Sequence, residues 1–233
     1  MAVMIFDTAT ENVDGVIFDL DGVLLDTEKL YARFWQEASI ALGYPMTRQQ
    51  ALGMRSLSRA AGQAKLESYF GPGVDREVMR QKRIALMDAY IEENGVECMP
   101  GVRETVEQLK QRGLKVAIAT SSPMDRVERY LGPKNLLGYF DAICSGHDVP
   151  HGKPAPDIYL WAAQRIGLPP VRCLAVEDSP AGIQSAFDAG CLPVFIPDQD
   201  QADEQTLKRL YAKVESLLEL LHLAVKQNDE RSK

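Results

Sequence analysis

Two aspartates separated by one residue form the strongest chemical signal in this sequence. Asp19 and Asp21 lie in the run Asp-Leu-Asp-Gly-Val, directly after the apolar segment Val-Ile-Phe. Residues two apart on a strand point the same way, so both carboxylates are expected on one side of the chain. At close range they repel by about 4 kcal/mol at an effective dielectric constant near 20. A cation or a shared proton must offset that repulsion, which favours a functional site over a surface turn.

A second pair of acids, Glu177 and Asp178, stands where another apolar run meets the start of a helix. Ser179 and Pro180 follow, and because Ser179 already fills the capping position, the two acids are not needed for capping. Carboxylate oxygens are the hard ligands that suit Mg²⁺. The four acids therefore predict a magnesium site.

Thr120, Ser121 and Lys153 are candidates for binding an anion such as phosphate. Thr120 and Ser121 precede a predicted helix, and a hydroxyl with backbone N–H groups at a helix start forms an anion site. Lys153 is followed by Pro154 and Pro156, which would stiffen the loop and fix the direction of the ammonium. Spacing alone equally allows a solvated lysine. Acids, a hydroxyl and a lysine together provide the electrostatics of phosphoryl transfer.

The elements that must position these residues alternate between strand and helix. Short apolar runs predict strands at Val16–Leu20, Leu114–Thr120, Ala142–Ser145, Cys173–Val176 and Val194–Ile196. Start and stop signals predict helices at Gly101–Arg112, Ser122–Leu131, Asp157–Ile166, Ser179–Gly190 and Ala202–Val225. Ser122, which precedes Pro123, is the expected N-cap of the second of these helices. This alternation implies an α/β fold, a Rossmann-like core whose parallel sheet is covered on both faces. Ligands of such sheets bind at the carboxyl ends of the strands.

Residues 26–95 interrupt the alternation and predict an inserted, small all-helical cap domain. Helices are expected at Glu28–Leu42, Leu57–Tyr69 and Asp75–Glu93. The predicted core then comprises residues 14–25 and 96–226, with an N-terminal arm or extra strand at 1–13 and a frayed tail at 227–233. A crevice between core and cap is the expected place for a site.

Composition and charge exclude several classes of protein. The chain has 233 residues, of which 45% are apolar and 25% charged, as in a globular protein that buries a large core. The net charge is −7, and the first 28 residues hold seven acids and no base. This balance argues against nucleic acid as the partner and against a secretory or transit peptide. No apolar run approaches the ~20 residues that span a bilayer. We expect a cytoplasmic protein, a monomer or a weak dimer.

The four cysteines show no CxxC spacing, so a zinc site is not expected. We expect them to be reduced, buried thiols. His147 and His151 are four residues apart, but Pro150 and Gly152 disfavour a helix there. We therefore interpret both histidines as loop residues and not as a metal pair.

Four motifs in this order resemble the haloacid dehalogenase-like hydrolase superfamily: DLDGV, IATSS, GKPAPD and EDSPAGIQSAFDAG. The helical insertion after the first motif resembles members with a small helical cap, such as the β-phosphoglucomutase-like sugar-phosphate phosphatases. The resemblance spans about residues 14–200. It is specific for the superfamily and much less so for the substrate.

The resemblance implies a Mg²⁺-dependent phosphatase of a small phosphorylated metabolite, such as a sugar phosphate or nucleoside monophosphate, acting through an aspartyl-phosphate. By position, Asp19 resembles the nucleophile, and Asp21 resembles the general acid and base. The phosphate would be held by Thr120, Lys153 and the N–H of Ser121. The metal would be bound by Asp19, the carbonyl of Asp21, Asp178, and Glu177 through water.

Two alternatives stay open. Mutases of this type carry a histidine four residues after the threonine of the Asp-Thr pair, where this chain has Tyr31, which disfavours a phosphosugar mutase. A non-catalytic phosphometabolite sensor would gain nothing from a complete acid set. Members that cleave carbon–halogen or carbon–phosphorus bonds lack the second aspartate.

In the cap, Arg55 is a candidate substrate contact, although an ordinary exposed arginine fits equally well.

Overall fold

The chain forms two compact units. The computed structural model describes residues 3–4, 13–54, 57, 59–198 and 202–229. The core unit is Met1–Leu25 together with Cys98–Lys233, and the helical unit is Asp26–Glu97. The helical unit is thus one continuous segment inserted between two parts of the core unit.

The core unit alternates strands and helices, as predicted. Its strands are β1 (Val3–Met4), β2 (Gly15–Phe18), β3 (Lys115–Thr120), β4 (Ala142–Ser145), β5 (Cys173–Glu177), β6 (Leu192–Phe195) and β7 (Ala212–Lys213). The helical unit contains α1 (Glu28–Ala41), α2 (Arg48–Leu52), α3 (Arg59–Phe70) and α4 (Arg76–Asn94). The helices of the core unit are α5 (Val102–Gln111), α6 (Met124–Leu131), α7 (Asp157–Arg165), α8 (Pro180–Asp188), α9 (Glu204–Leu207) and α10 (Leu217–Asp229).

The strands of the described residues form one sheet in the order β1-β7-β6-β5-β2-β3-β4. Strands β2 to β7 pair in parallel, and β1 pairs antiparallel with β7 at the edge. Val16 of β2 lies in register with Val116 of β3 and Leu174 of β5. The carboxyl ends of β2, β3 and β5 are therefore neighbours, which confirms the predicted α/β core.

Both faces of the sheet are covered. Ile17, Ala117 and Ala175 belong to one buried cluster with residues of α7 and α8. Their chain neighbours Val16 and Ile118 are fully buried as well. Because successive strand residues face opposite sides, the second face must also be covered. Strands buried on both faces explain why the predicted segments read as continuous apolar runs.

The helical unit packs α1 against α4 and α2, and α3 against α4. Trp35, Leu66 and Met79 lie in its buried core. The short helix α2 was not predicted, because a single turn with one buried residue, Ala51, shows no helical periodicity. A capping box defines its start, since Thr47 and Gln50 exchange side-chain-to-backbone hydrogen bonds of 3.2 and 2.8 Å.

The prediction of one long helix at Ala202–Val225 is wrong. The segment contains α9, strand β7 and the start of α10. Ala212 pairs with Val194 of β6, and Tyr211 N–H donates to Pro193 O at 2.8 Å. These hydrogen bonds to the neighbouring strand outweigh the helical spacing of the apolar residues. They join residues that are distant in sequence, so the local periodicity does not predict them.

The predictions for the chain ends fall partly outside the described residues. Val3–Met4 forms strand β1. The rest of the predicted arm up to residue 12, including the second Ile-Phe-Asp run, lies outside the described residues. Helix α10 reaches Asp229, so residues 227–229 of the expected frayed tail are helical.

Candidate active site

The first aspartate lies just beyond the strand that was predicted to carry it. Strand β2 ends at Phe18, not Leu20, so strand alternation does not orient Asp19 and Asp21. Asp19 N–H still donates to Val176 O of β5 at 2.9 Å, which keeps Asp19 beside the end of that strand. Glu177, the last residue of β5, and Asp178, which follows it, lie at the same edge. Parallel pairing of β2 and β5 therefore brings both predicted acid pairs together.

Two glycines allow the carboxylates to approach the backbone closely. Gly22 has a positive φ of 81°, and a Cβ there would overlap the Asp178 carboxylate. A Cβ at Gly182, in the first turn of α8, would overlap the Glu177 carboxylate. Any side chain at either position would displace an acid.

Lys153 joins three strand ends through its ammonium. Its Nζ donates to Asp19 Oδ1 at 2.6 Å, to Glu177 Oε1 at 2.6 Å and to Ala119 O of β3 at 2.9 Å. The Lys153 side chain is 8% exposed, and the Glu177 side chain is 1% exposed. The loop is braced, because Ala155 O accepts a hydrogen bond of 2.5 Å from Ser185 Oγ of α8. Lys153 is therefore a buried ion-pair partner and not a solvated lysine.

The site holds more negative charge than Lys153 balances. The pKa of Asp19 is raised to about 7, chiefly by burial; Lys153 opposes the rise, and the charges of Glu177 and Asp21 add to it. Burial alone would lower the pKa of Lys153, but Asp19 and Glu177 outweigh it and raise that pKa above its ordinary value. The Lys153 ammonium thus stays protonated. The negative charge that it does not balance acts on Asp19, whose ionised form is disfavoured.

The donor set fits a divalent cation. Asp19, Glu177 and Asp178 each offer a carboxylate oxygen, and these oxygens lie within 4.8 Å of one another. Oxygen ligands are those that hard divalent cations prefer. A cation there would also offset the repulsion that raises the pKa of Asp19. The residues present therefore fit the metal that the sequence predicts.

Thr120 and Ser121 lie at the end of β3, next to β2. Thr120 is fully buried, and its Oγ1 accepts the Ser122 N–H at 3.0 Å. Ser121 is exposed. Helix α6 begins at Met124 with Pro123 as its N-cap, so the prediction that Ser122 caps this helix is wrong. The Ser122 hydroxyl does not cap the helix, because it donates to Asp21 instead.

Sequence reasoning missed the contacts of Ser122 and Tyr159. Ser122 Oγ donates to Asp21 Oδ2 at 2.9 Å, and Tyr159 Oη donates to Glu177 Oε1 at 2.7 Å. Both residues are buried. Of these two contacts, only that of Tyr159 had a signal in the sequence, because its hydroxyl is a polar group in an otherwise apolar helix segment. The use of Ser122 depends on where the side chain points, which the sequence does not specify.

The capping prediction for Ser179 is confirmed. Ser179 Oγ accepts the Gly182 N–H at 3.1 Å, and its hydroxyl donates to Glu177 Oε2 at 3.1 Å. His147 and His151 lie outside the α-helices, as expected. Arg55 lies outside the described residues, so its predicted substrate contact is not tested.

The matches to known proteins agree with this geometry. Residues 13–190 match the family model of haloacid dehalogenase-like hydrolases. Hexitol phosphatase B of Escherichia coli (strain K12) is 31% identical over 208 residues, which cover 88% of this chain and 92% of that protein. The phosphorylated carbohydrates phosphatase of Thermotoga maritima is 30% identical over 193 residues, covering 78% and 84%. The crystal structure of a HAD family hydrolase from Deinococcus radiodurans R1, with bound phosphate and sodium, has a TM-score of 0.76 at 26% identity and covers 93% and 97% of the two chains.

The family match and the relatives named as phosphatases define this protein as an enzyme of the hydrolase class. The chain belongs to the haloacid dehalogenase-like hydrolase family. Within the described residues, none of the helices combines the length and apolar character needed to cross a bilayer.

Proposed function

We propose that this protein is a Mg²⁺-dependent phosphomonoester hydrolase that acts on a small phosphorylated metabolite. The observation that carries the proposal is the Lys153 ammonium, 2.6 Å from both Asp19 and Glu177, in a site whose carboxylate oxygens cluster within 4.8 Å. Two relatives named as phosphatases of hexitols and of phosphorylated carbohydrates support a sugar-phosphate substrate class. A nucleoside monophosphate stays a second candidate.

Asp19 is the proposed nucleophile. Lys153 holds its Oδ1, which fixes the carboxylate and favours its ionised form. Its oxygen attacks phosphorus in line, so a bond forms to Asp19 as the bond to the leaving oxygen breaks. The product of this step is an aspartyl-phosphate and a free alcohol. Water then attacks the same phosphorus and releases Asp19 and inorganic phosphate.

Asp21 is the proposed proton carrier. It gives its proton to the leaving alkoxide in the first step and takes a proton from the attacking water in the second. The enzyme therefore returns to its starting protonation state after each turnover. Nucleophilic attack and proton transfer are thus carried out by two different aspartates, one ionised and one protonated at the start.

Thr120, the N–H of Ser121 and Lys153 are proposed to hold the phosphoryl oxygens. Asp19, Asp178 and the carbonyl of Asp21 would bind Mg²⁺ directly, and Glu177 would bind it through water. When bound, Mg²⁺ supplies positive charge that lets a phosphate dianion approach four acids and stabilises charge on the phosphoryl oxygens. Arg55 stays a proposed substrate contact.

Phosphate release from a panel of phosphorylated sugars, hexitols and nucleosides tests the proposal. We expect turnover with Mg²⁺ and none with EDTA, and Asp19→Asn should abolish turnover while its circular-dichroism spectrum matches wild type. Asp188→Asn, on the exposed end of α8, is the matched control and should retain full activity. Substantial turnover by Asp19→Asn contradicts the nucleophile assignment.

The same assay separates the two alternatives. A phosphosugar mutase would yield an isomeric phosphate, need a bisphosphate activator and release little phosphate. A sensor would bind phosphorylated metabolites without Mg²⁺-dependent turnover of any of them.

A further inference from the structure

Ser122 is a buried residue beside the proposed proton carrier, and the mechanism above does not use its hydroxyl. Ser122 is 4% exposed, and its Oγ donates to Asp21 Oδ2 at 2.9 Å. Pro123 is the N-cap of the adjacent helix α6, which has no side-chain capping bond. The Ser122 hydroxyl is therefore committed to the aspartate and not to the helix.

Both backbone polar groups of Ser122 are also held. Its N–H donates to Thr120 Oγ1 at 3.0 Å, and its carbonyl accepts from Ser145 Oγ at 2.9 Å. Ser145 ends β4, is 1% exposed and accepts the His147 N–H at 3.2 Å. Pro123 further restricts the backbone of the residue before it. These constraints fix the Ser122 hydroxyl relative to the ends of β3 and β4.

We propose that Ser122 is a positioning residue for Asp21. Asp21 follows β2 on a turn, and its carboxyl group can rotate about two side-chain bonds. Anchoring Oδ2 selects one rotamer and thereby aims the group at the oxygen that leaves phosphorus. The proton that reaches this oxygen is Asp21's own, and the Ser122 proton stays on Ser122 throughout. This inference rests on the proposed function, because it takes Asp21 as the proton carrier.

Two aryl esters of similar shape separate proton donation from other contributions. Phenolate is a strong base and needs a proton as it leaves phosphorus, whereas p-nitrophenolate is a much weaker base and leaves without one. The value of kcat/KM reports the steps up to the first irreversible one, which here is departure of the aryl oxygen. Removing a residue that positions the acid therefore lowers kcat/KM selectively for phenyl phosphate. Removing a residue that serves only binding or folding lowers kcat/KM equally for both esters.

We expect Ser122→Ala to lower kcat/KM about 10-fold on phenyl phosphate and less than about 3-fold on p-nitrophenyl phosphate. Asp21→Asn sets the upper limit, since a positioned acid contributes about 10²–10⁴-fold. Adding Ser122→Ala to Asp21→Asn should change kcat/KM by less than about 2-fold, because no carboxyl group is left to aim.

Two further variants serve as controls. Ser122→Thr keeps the hydroxyl and should retain the wild-type ratio of the two kcat/KM values. Thr105→Val removes a buried hydroxyl on α5 that finds no hydrogen-bond partner among the described residues, and it should leave both values unchanged. If Ser122→Ala does not fold, Ser145→Ala, which releases the Ser122 carbonyl, should shift the ratio in the same direction by about 3-fold.

Equal losses on both esters in Ser122→Ala overturn the positioning role, as does a full additional loss in the double variant. A folded Ser122→Ala protein with the wild-type ratio also overturns it. If wild-type protein with Mg²⁺ releases phosphate from neither ester, the proposed function fails and the inference fails with it. Wild-type turnover with an unaltered ratio in Ser122→Ala defeats the inference alone.

Discussion

Replacing Lys153 with methionine should destabilise the protein and inactivate it together. The ammonium makes two hydrogen bonds of 2.6 Å to buried carboxylates, on Asp19 and Glu177. Removing one partner of a buried, hydrogen-bonded ion pair costs about 3–5 kcal/mol. For a chain of this length each kcal/mol shifts Tm by about 2–4 °C, so Lys153→Met should lower Tm by about 6–20 °C. Loss of the charge that is proposed to bind phosphate should lower kcat about 10²–10³-fold.

Lys110→Met is the matched control. Lys110 Nζ lies 2.7 Å from Asp141 Oδ2, nearly as close as the pair at the site, but the two side chains are 34% and 19% exposed. Solvent-screened pairs contribute about 0–1 kcal/mol, so Lys110→Met should lower Tm by less than about 4 °C and leave activity unchanged. Thermal unfolding monitored by circular dichroism in EDTA, with phosphate release measured in Mg²⁺, compares the two variants.

The stability loss in Lys153→Met should also depend on pH. Burial already holds the pKa of Asp19 near 7, and removing the ammonium, which lowers it, must raise it further. A carboxyl group whose pKa is higher in the folded state costs nothing below its unfolded pKa, and its cost grows until pH exceeds the folded value. The Tm difference between Lys153→Met and wild type should therefore be smaller at pH 5 than at pH 8. A Tm shift no larger than that of Lys110→Met, or activity within tenfold of wild type, refutes the reasoning.

Three other variants test separate parts of the account. Asp178→Asn should raise the Mg²⁺ concentration needed for half-maximal activity and reduce the rise in Tm that Mg²⁺ produces; an unchanged metal titration contradicts its role as a ligand. Tyr159→Phe removes the hydrogen bond of 2.7 Å to buried Glu177, which is worth about 1.5–3 kcal/mol, so Tm should fall by about 3–12 °C, and a wild-type Tm contradicts this. Thr105→Val should raise the free energy of unfolding by about 1–3 kcal/mol in denaturant titrations, because the buried Thr105 hydroxyl has no hydrogen-bond partner in the part of the chain that the structure describes; a loss of stability contradicts this.

The sequence predicted the parts of the fold that local pattern determines. Apolar runs and glycine stops placed β3, β4 and β5 within a residue or two, and parallel pairing then required their carboxyl ends to meet. The approach of Lys153 to Asp19 was thereby an expected consequence of topology. Strand β7 was missed because the apolar spacing of this segment fits a helix. The strand is only two residues long, and it depends on hydrogen bonds to Pro193 and Phe195.

The supporting contacts of the site could not be predicted in the same way. Ser122 was interpreted as a helix cap because serine before proline is typical of one, yet its hydroxyl donates to Asp21 instead. Tyr159 was counted only as part of a helix, although its hydroxyl reaches Glu177. Each of these contacts joins residues far apart in sequence, and the direction of each side chain is set by packing that local propensity does not describe.

The most direct test of the account is to trap the phosphorylated enzyme and locate the modified residue. Wild-type protein turning over p-nitrophenyl phosphate with Mg²⁺ is quenched in acid and reduced with borohydride, which converts an aspartyl-phosphate to homoserine. The first basic residue is Lys29, so trypsin releases one peptide that contains both Asp19 and Asp21, and tandem mass spectrometry distinguishes them. The account predicts homoserine at position 19. Homoserine at position 21, or at neither position in an enzyme that is turning over, would contradict it.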